Sequence, residues 1–158
     1  MKKPSFLSKY FTRIGYDRSP QPNLQTLREI HLLHVKNIPF ENLNPLLKLP
    51  VPLDMESTIN KMVYHRRGGY CFEQNLLFQH VLNTIGFETM VMPGRVLMGR
   101  TEKDYSAQTH MLVSIKIEGV EYISDVGFGS QSLTGPIALI NPDAQSTPHE
   151  DYRITPRE

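Results

Sequence analysis

The chain has 158 residues, 39% hydrophobic and 21% charged, with one cysteine and a formal net charge of +1. That length fits one domain or two small ones sharing a core, and a near-neutral balance without a Lys/Arg block excludes the footprint of a nucleic-acid or anionic-membrane binder. A lone cysteine excludes an internal disulfide and a multi-thiolate zinc site, which points to a reducing, cytoplasmic setting; no apolar run suits a signal peptide or a membrane span.

Residues 1–22 read as an irregular lead-in closed by Ser19-Pro20-Gln21-Pro22. Asn23 is then a helix N-cap, with Leu24, Leu27, His31, Val35 and Ile38 at helical spacing and Pro39 as the stop. His31 and His34 lie one turn apart. With no third ligand nearby they read as packing or helix-surface histidines rather than a metal pair, since zinc sites take three or four ligands. Residues 40–52 hold three prolines and read as a packed loop. Asp54 is a second N-cap, opening a short helix through Ile59, Met62 and Val63.

The glycine pair Gly68-Gly69 then precedes Cys71. Lacking a Cβ, glycines let the backbone turn sharply and another group approach closely. An apolar, helix-patterned run follows, with Phe78, Val81, Leu82 and Ile85 on one face and Gly86 as its stop. A helix that starts beside Cys71 offers the sulfur a positive dipole end, a setting that favours thiolate.

The pattern changes after Gly86. Residues 87–98 are rich in β-branched and other apolar residues, interrupted by Pro93-Gly94, and residues 99–108 are polar and loop-like. From Met111 to Ile117 apolar residues alternate with a second set, the period of two that marks a strand. Glu118-Gly119 is a hairpin turn, residues 120–126 return, and a further strand is expected over residues 133–140, followed by a loop to residue 151. Helices first and antiparallel strands second make an α+β pattern. The expected division is a helical part, residues 1–86, and a strand part, residues 87–158.

The hairpin yields a geometric expectation. With a two-residue loop, Ile117 faces Val120, Leu112 faces Asp125 and His110 faces Gly127. His110 and Asp125 are then same-face diagonal neighbours, roughly 7–8 Å apart at Cα. One more loop residue would put them on opposite faces. Cys71, His110 and Asp125 thus form a candidate nucleophile, base and orienting carboxylate. Spacing alone also allows a buried structural cysteine, a structural histidine and a turn aspartate.

Residues 67–75 (Arg-Gly-Gly-Tyr-Cys-Phe-Glu-Gln-Asn) resemble the RGGxCxExN signature of the arylamine N-acetyltransferases. Thr109-His110-Met111-Leu112 and Asp125-Val126-Gly127-Phe128-Gly129 resemble that family's histidine and aspartate motifs. Arg13-Ile14-Gly15-Tyr16 and Ile38-Pro39-Phe40-Glu41-Asn42-Leu43 resemble its N-terminal pattern. The five motifs occur in the family's order and cover almost the whole chain.

The resemblance implies an N-terminal helical bundle, a partial antiparallel β-barrel, and a Cys71–His110–Asp125 core related to those of transglutaminases and papain-like proteases. It implies ping-pong acetyl transfer from acetyl-CoA, without a metal, to an arylamine, arylhydrazine or N-hydroxyarylamine. Phe40, Val96 and Phe128, with the adjoining Gly129, correspond to the acceptor pocket; plain core packing is the other reading for them. Arg67 and Glu41 are expected to form a buried pair that braces the cysteine loop. Two departures accompany the match: Ser130 stands where a glycine is common, and Glu158 falls part-way through the family's barrel. The expectation is a shortened form without the third, lid-like α/β domain, with exposed strand edges that favour homo-oligomers, a weakened CoA cleft, and more hydrolysis of an acetyl-cysteine. A carrier-protein-dependent amide synthase and a non-catalytic binding module are the alternatives.

Overall fold

The computed structural model describes residues 5–99 and 107–156. Among the described residues, five α-helices and one π turn precede a mixed set of short and long strands, the expected α+β order. None of the described helices is long and apolar enough to cross a membrane.

The lead-in is not irregular. α1 spans Phe6–Ile14, capped by the Ser5 side chain on the Ser8 N–H and ended by Gly15 at φ 76°. Phe6, Tyr10 and Ile14 fall on one face, and Tyr10 and Ile14 are completely buried. Proline-rich flanks mask this spacing in the sequence, but the apolar period, the serine cap and the glycine stop are all present.

α2 spans Leu24–Asn37 and begins as expected, the Asn23 side chain accepting from the Thr26 N–H at 2.9 Å. The residue before Pro39, Ile38, is extended and closes the helix. Residues 40–52 are mostly loop, interrupted by the single turn α3, Leu43–Leu46. α4, Met55–Ile59, is capped by Asp54 on the Ser57 N–H at 2.8 Å and widens into a π turn, Asn60–Tyr64. α5, Cys71–Ile85, stops at Gly86 with φ 111°, a left-handed conformation open to glycine.

The strands β1 (Glu88–Gly94), β2 (His110–Ile117), β3 (Val120–Ser124) and β4 (Ile137–Ala138) form an antiparallel sheet in that order. It is an open sheet and not a closed barrel. Pro93-Gly94 does not interrupt β1: both pair with β2, and the missing proline N–H is tolerated on an edge strand. Glu118 and Gly119 have φ of 49° and 81°, both positive as a type I′ turn requires, and Ile117 pairs with Val120. The ladder ends at Val113 opposite Ser124, just short of Asp125. The strand expected over residues 133–140 shrinks to the two residues of β4, because Gly135-Pro136 precedes it. β5 (Gln145–Ser146) and β6 (Asp151–Tyr152) form a small separate ribbon within the expected loop.

α5 packs against β1 and β2, and one core runs from Tyr10, Leu27 and Ile30 through Leu77, Phe78 and Val81 to Val113 and Ile115. His31 and His34 belong to this core, both fully buried. The Tyr10 hydroxyl lies 2.7 Å from His34 Nδ1, and His34 Nε2 lies 2.7 Å from Gln74 Oε1. Gln74 in turn donates to the Pro39 carbonyl at 2.9 Å. Burial pushes the two imidazoles down, His31 to about 4 and His34 to about 3. Their folded pKa values lie below the ordinary 6.5, so the unfolded chain binds more protons between those limits. Stability is therefore expected to fall as pH drops below 6.5, by up to about 1.4 kcal/mol per pH unit for each ring. Urea midpoints at pH 7 and pH 5 check this; an equal or higher midpoint at pH 5 would contradict it.

Candidate active site

The cysteine loop is assembled by contacts that only glycine permits. Phe40 and Gly69 form a parallel bridge, with the Glu41 N–H on the Gly69 carbonyl at 3.0 Å and the Gly69 N–H on the Pro39 carbonyl at 3.3 Å. A Cβ on Gly68 would stand 2.0 Å from the Pro39 oxygen, and one on Gly69 would stand 2.9 Å from Glu73 Cβ. Upstream, Arg66 is left-handed at φ 54°, and its carbonyl accepts from the buried Arg13 of α1 at 3.3 Å. The N-terminal motif thus reaches the cysteine loop directly.

Charge fixes the same loop from below. Glu73, in the first turn of α5, is 2% exposed and accepts from Lys61 Nζ at 2.8 and 2.9 Å and from the Tyr70 N–H at 3.1 Å. A buried carboxylate is tolerated only with such partners. Lys61 also lies 3.3 Å from Glu41, which pairs with Arg67 at 2.8 Å. The expected Arg67–Glu41 pair is present, but Arg67 is open to solvent on one side and Lys61 holds the deeper position.

Cys71 is the first residue of α5 and is partly exposed, its Sγ 3.8 Å from the Thr109 carbonyl oxygen. The next residue, His110, opens β2. Its Nε2 lies 2.6 Å from Asp125 Oδ2, which leaves Nδ1 as the free ring nitrogen. The hairpin register is the expected one, but the ladder stops at Val113 and Ser124. The expected pairs Leu112–Asp125 and His110–Gly127 do not form, and imidazole and carboxylate meet just beyond the last paired residues. Burial alone would lower the His110 pKa. The Asp125 hydrogen bond, a hydrogen bond to the Cys71 thiol group and the charges of both partners outweigh it, and the value rises to about 9. His110 is therefore an imidazolium at neutral pH, facing the sulfur.

Asp125 is held on its other side. Its Oδ1 accepts from Asn75 Nδ2 at 3.0 Å and from the Gly127 N–H at 2.9 Å. Asn75 also donates to the Met111 carbonyl at 2.8 Å and accepts from the Val126 N–H at 3.1 Å. One amide therefore joins α5, β2 and the aspartate loop. The sequence alone assigns no role to Asn75, although it lies four residues after Cys71, the spacing of one helix face. The loop can sit this close only because residue 127 is glycine: a Cβ there would stand 2.9 Å from Cys71 Cα, Gln74 Cβ and Asn75 Nδ2.

Of the four expected pocket residues, three cluster. The Phe128 ring stands edge-on to His110, centroids 5.3 Å apart, and the Phe40 ring lies against Gly129 so closely that a Cβ would meet it at 3.0 Å. Phe40 is 42% exposed, and with Gly129, Ile38 and Val126 it also lines a cavity of about 250 Å³. Val96 lies two residues beyond β1 and is half-buried; among the described residues no hydrogen bond or ring contact ties it to the other three.

A cysteine sulfur at a helix start, an imidazole ring beside it and a carboxylate behind that ring are the groups of cysteine-based acyl-transfer chemistry. The comparisons agree with acyl transfer. A family profile described as N-acetyltransferase matches residues 23–158. The arylamine N-acetyltransferase of Escherichia coli (strain K12) is 44% identical over 148 residues, which is 94% of this chain and 52% of that protein. The solved structure of the Salmonella typhimurium arylamine N-acetyltransferase superposes with a TM-score of 0.91 at 43% identity, covering 96% of this chain and 55% of that one. The Mycobacterium marinum arylamine N-acetyltransferase in complex with CoA gives a TM-score of 0.90 at 37% identity, covering 96% and 57%. The chain belongs to the arylamine N-acetyltransferase family. It spans about half the length of the curated relatives it matches.

Proposed function

We propose that this protein moves an acetyl group from acetyl-CoA to the nitrogen of an arylamine, arylhydrazine or N-hydroxyarylamine, through an acetyl-Cys71 intermediate. The observation that carries the reading is the placement of Cys71 at the start of α5 against His110, whose charged form Asp125 favours. On this reading Cys71 has given its proton to His110. Its sulfur bonds to the thioester carbonyl carbon, the carbon–sulfur bond to CoA breaks, and His110 returns the proton to the departing CoA sulfur. The amine nitrogen then bonds to the acetyl carbon, the bond to Cys71 breaks, and His110 takes the surplus proton from nitrogen.

The donor assignment is supported by the Mycobacterium marinum relative seen with CoA. For the acceptor, Phe128 beside His110 and Phe40 against Gly129 offer aromatic surface suited to a planar ring, and Val96 is assigned to the same pocket. The helical part, residues 1–86, contributes the nucleophile, and residues 87–158 contribute His110 and Asp125. A reducing compartment such as the cytoplasm suits a working thiol.

Incubation with acetyl-CoA and no acceptor, followed by intact mass spectrometry, is the direct test. A single acetyl adduct is expected, absent in Cys71→Ala and cleared by added arylamine. If no adduct forms while Cys71 is still readily alkylated, the donor assignment fails. If Cys71 is also inert, the non-catalytic binding module becomes the better reading.

A further inference from the structure

His31 takes no part in the chemistry above, yet its ring is completely buried and both nitrogens are engaged. Nε2 lies 2.8 Å from the Leu133 carbonyl oxygen, which can only accept, so Nε2 carries the proton. Nδ1 is then an acceptor, and the Ser124 hydroxyl at 3.2 Å donates to it. Ser124 ends β3, and the segment from there to Leu133 carries Asp125, Gly127, Phe128 and Gly129. One imidazole on α2 therefore grips both ends of the loop that presents the carboxylate and Phe128.

We propose that His31 is a positioning residue, closing the 124–133 loop from α2 and thereby setting the Asp125 carboxylate on His110. The inference rests on the reading of Asp125 and His110 as parts of the working site. Phe78 of α5 packs edge-on against the ring, with centroids 5.7 Å apart, and holds its plane. The titratable groups that face His31 are Asp125, from the loop, and His34, from its own helix. With burial as the largest influence the ring stays neutral at neutral pH, so its donor and acceptor sides keep their assignments.

A histidine that merely fills the core would leave the His110–Asp125 bond unchanged once the fold is kept. The readout is therefore the protonation midpoint of His110, followed by NMR of the ring in the full 158-residue chain. Wild type is expected to titrate near 9. In folded Ser124→Ala and His31→Phe the midpoint is expected to drop by about one pH unit or more. The first-order rate of Cys71 acetylation is expected to fall about tenfold with it. His31→Gln, whose amide can donate to Leu133 and accept from Ser124, is expected to recover most of both. An unchanged midpoint in either folded variant overturns the proposal, as does a wild-type His110 that titrates at its ordinary value. If His31→Phe fails to fold, Ser124→Ala decides alone. A midpoint that shifts in the variants of a protein that forms no acetyl adduct would uphold the positioning role and defeat the acetyl-transfer reading.

Discussion

Asp125→Asn is expected to slow acetylation of Cys71 by about 10⁴-fold, the scale seen when a triad aspartate is replaced by its amide. The reason lies in the hydrogen bonds around residue 125. Oδ1 of residue 125 receives two donors, Asn75 Nδ2 and the Gly127 N–H, so an asparagine must keep its carbonyl oxygen there. Its NH₂ group then points at His110 Nε2, where Oδ2 now sits at 2.6 Å. That nitrogen can no longer donate, and the ring proton moves to Nδ1, the side turned to the thiol. The imidazole then holds the wrong tautomer to take a proton from sulfur, and it has lost the neighbour that chiefly keeps it charged. Single-turnover acetylation and the His110 titration together check this. A variant within tenfold of wild type, with its midpoint still near 9, would show that Asp125 is not the orienting group.

Gly68→Ala is expected to cost about 3 kcal/mol or more of stability, well above an ordinary surface substitution. The new methyl would stand 2.0 Å from the Pro39 oxygen and 3.0 Å from both the Pro39 carbonyl carbon and Glu41 Cγ. Two of these are backbone atoms. The Pro39 carbonyl is itself held by the Gly69 N–H and by Gln74, so it cannot retreat without losing those bonds. The bridge between Phe40 and Gly69 would open, taking Phe40 away from the cysteine loop. Gly135→Ala is the matched control, since its nearest neighbours would be 3.6 and 3.8 Å away. Equal urea midpoints for the two variants would remove close packing as the reason for a glycine at 68.

The strand register and the helix caps are legible in the sequence where local rules reach them. A two-residue turn and a period of two are enough to set Ile117 against Val120, which brings the end of β3 near the start of β2; the His110–Asp125 contact itself forms beyond the last paired residues. The caps at Asn23, Asp54 and Gly86 followed from residue chemistry alone. What escaped depends on burial and on partners far along the chain. Lys61 and Glu73 are both polar and twelve residues apart, and only the fold makes one the counter-ion of the other. Spacing marks His31 and His34 only as helix-surface or packing residues; their use of both ring nitrogens is settled by Ser124, Leu133, Tyr10 and Gln74. α1 is a different case, since its apolar spacing, cap and stop were visible but overshadowed by the prolines beyond it.

The bonds across residue 86 bear on how such a chain can be recombined. His31 reaches Ser124 and Leu133, while Asn75 reaches Asp125, Met111 and Val126. Every one of these joins the helical part to the strand part. A cut at Gly86 is convenient for the covalent chain, but it divides each of these pairings between two parents. A chimera assembled there inherits a working arrangement only if both parents supply matching partners. The heritable unit is the set of pairings, and it does not respect the boundary that secondary structure suggests.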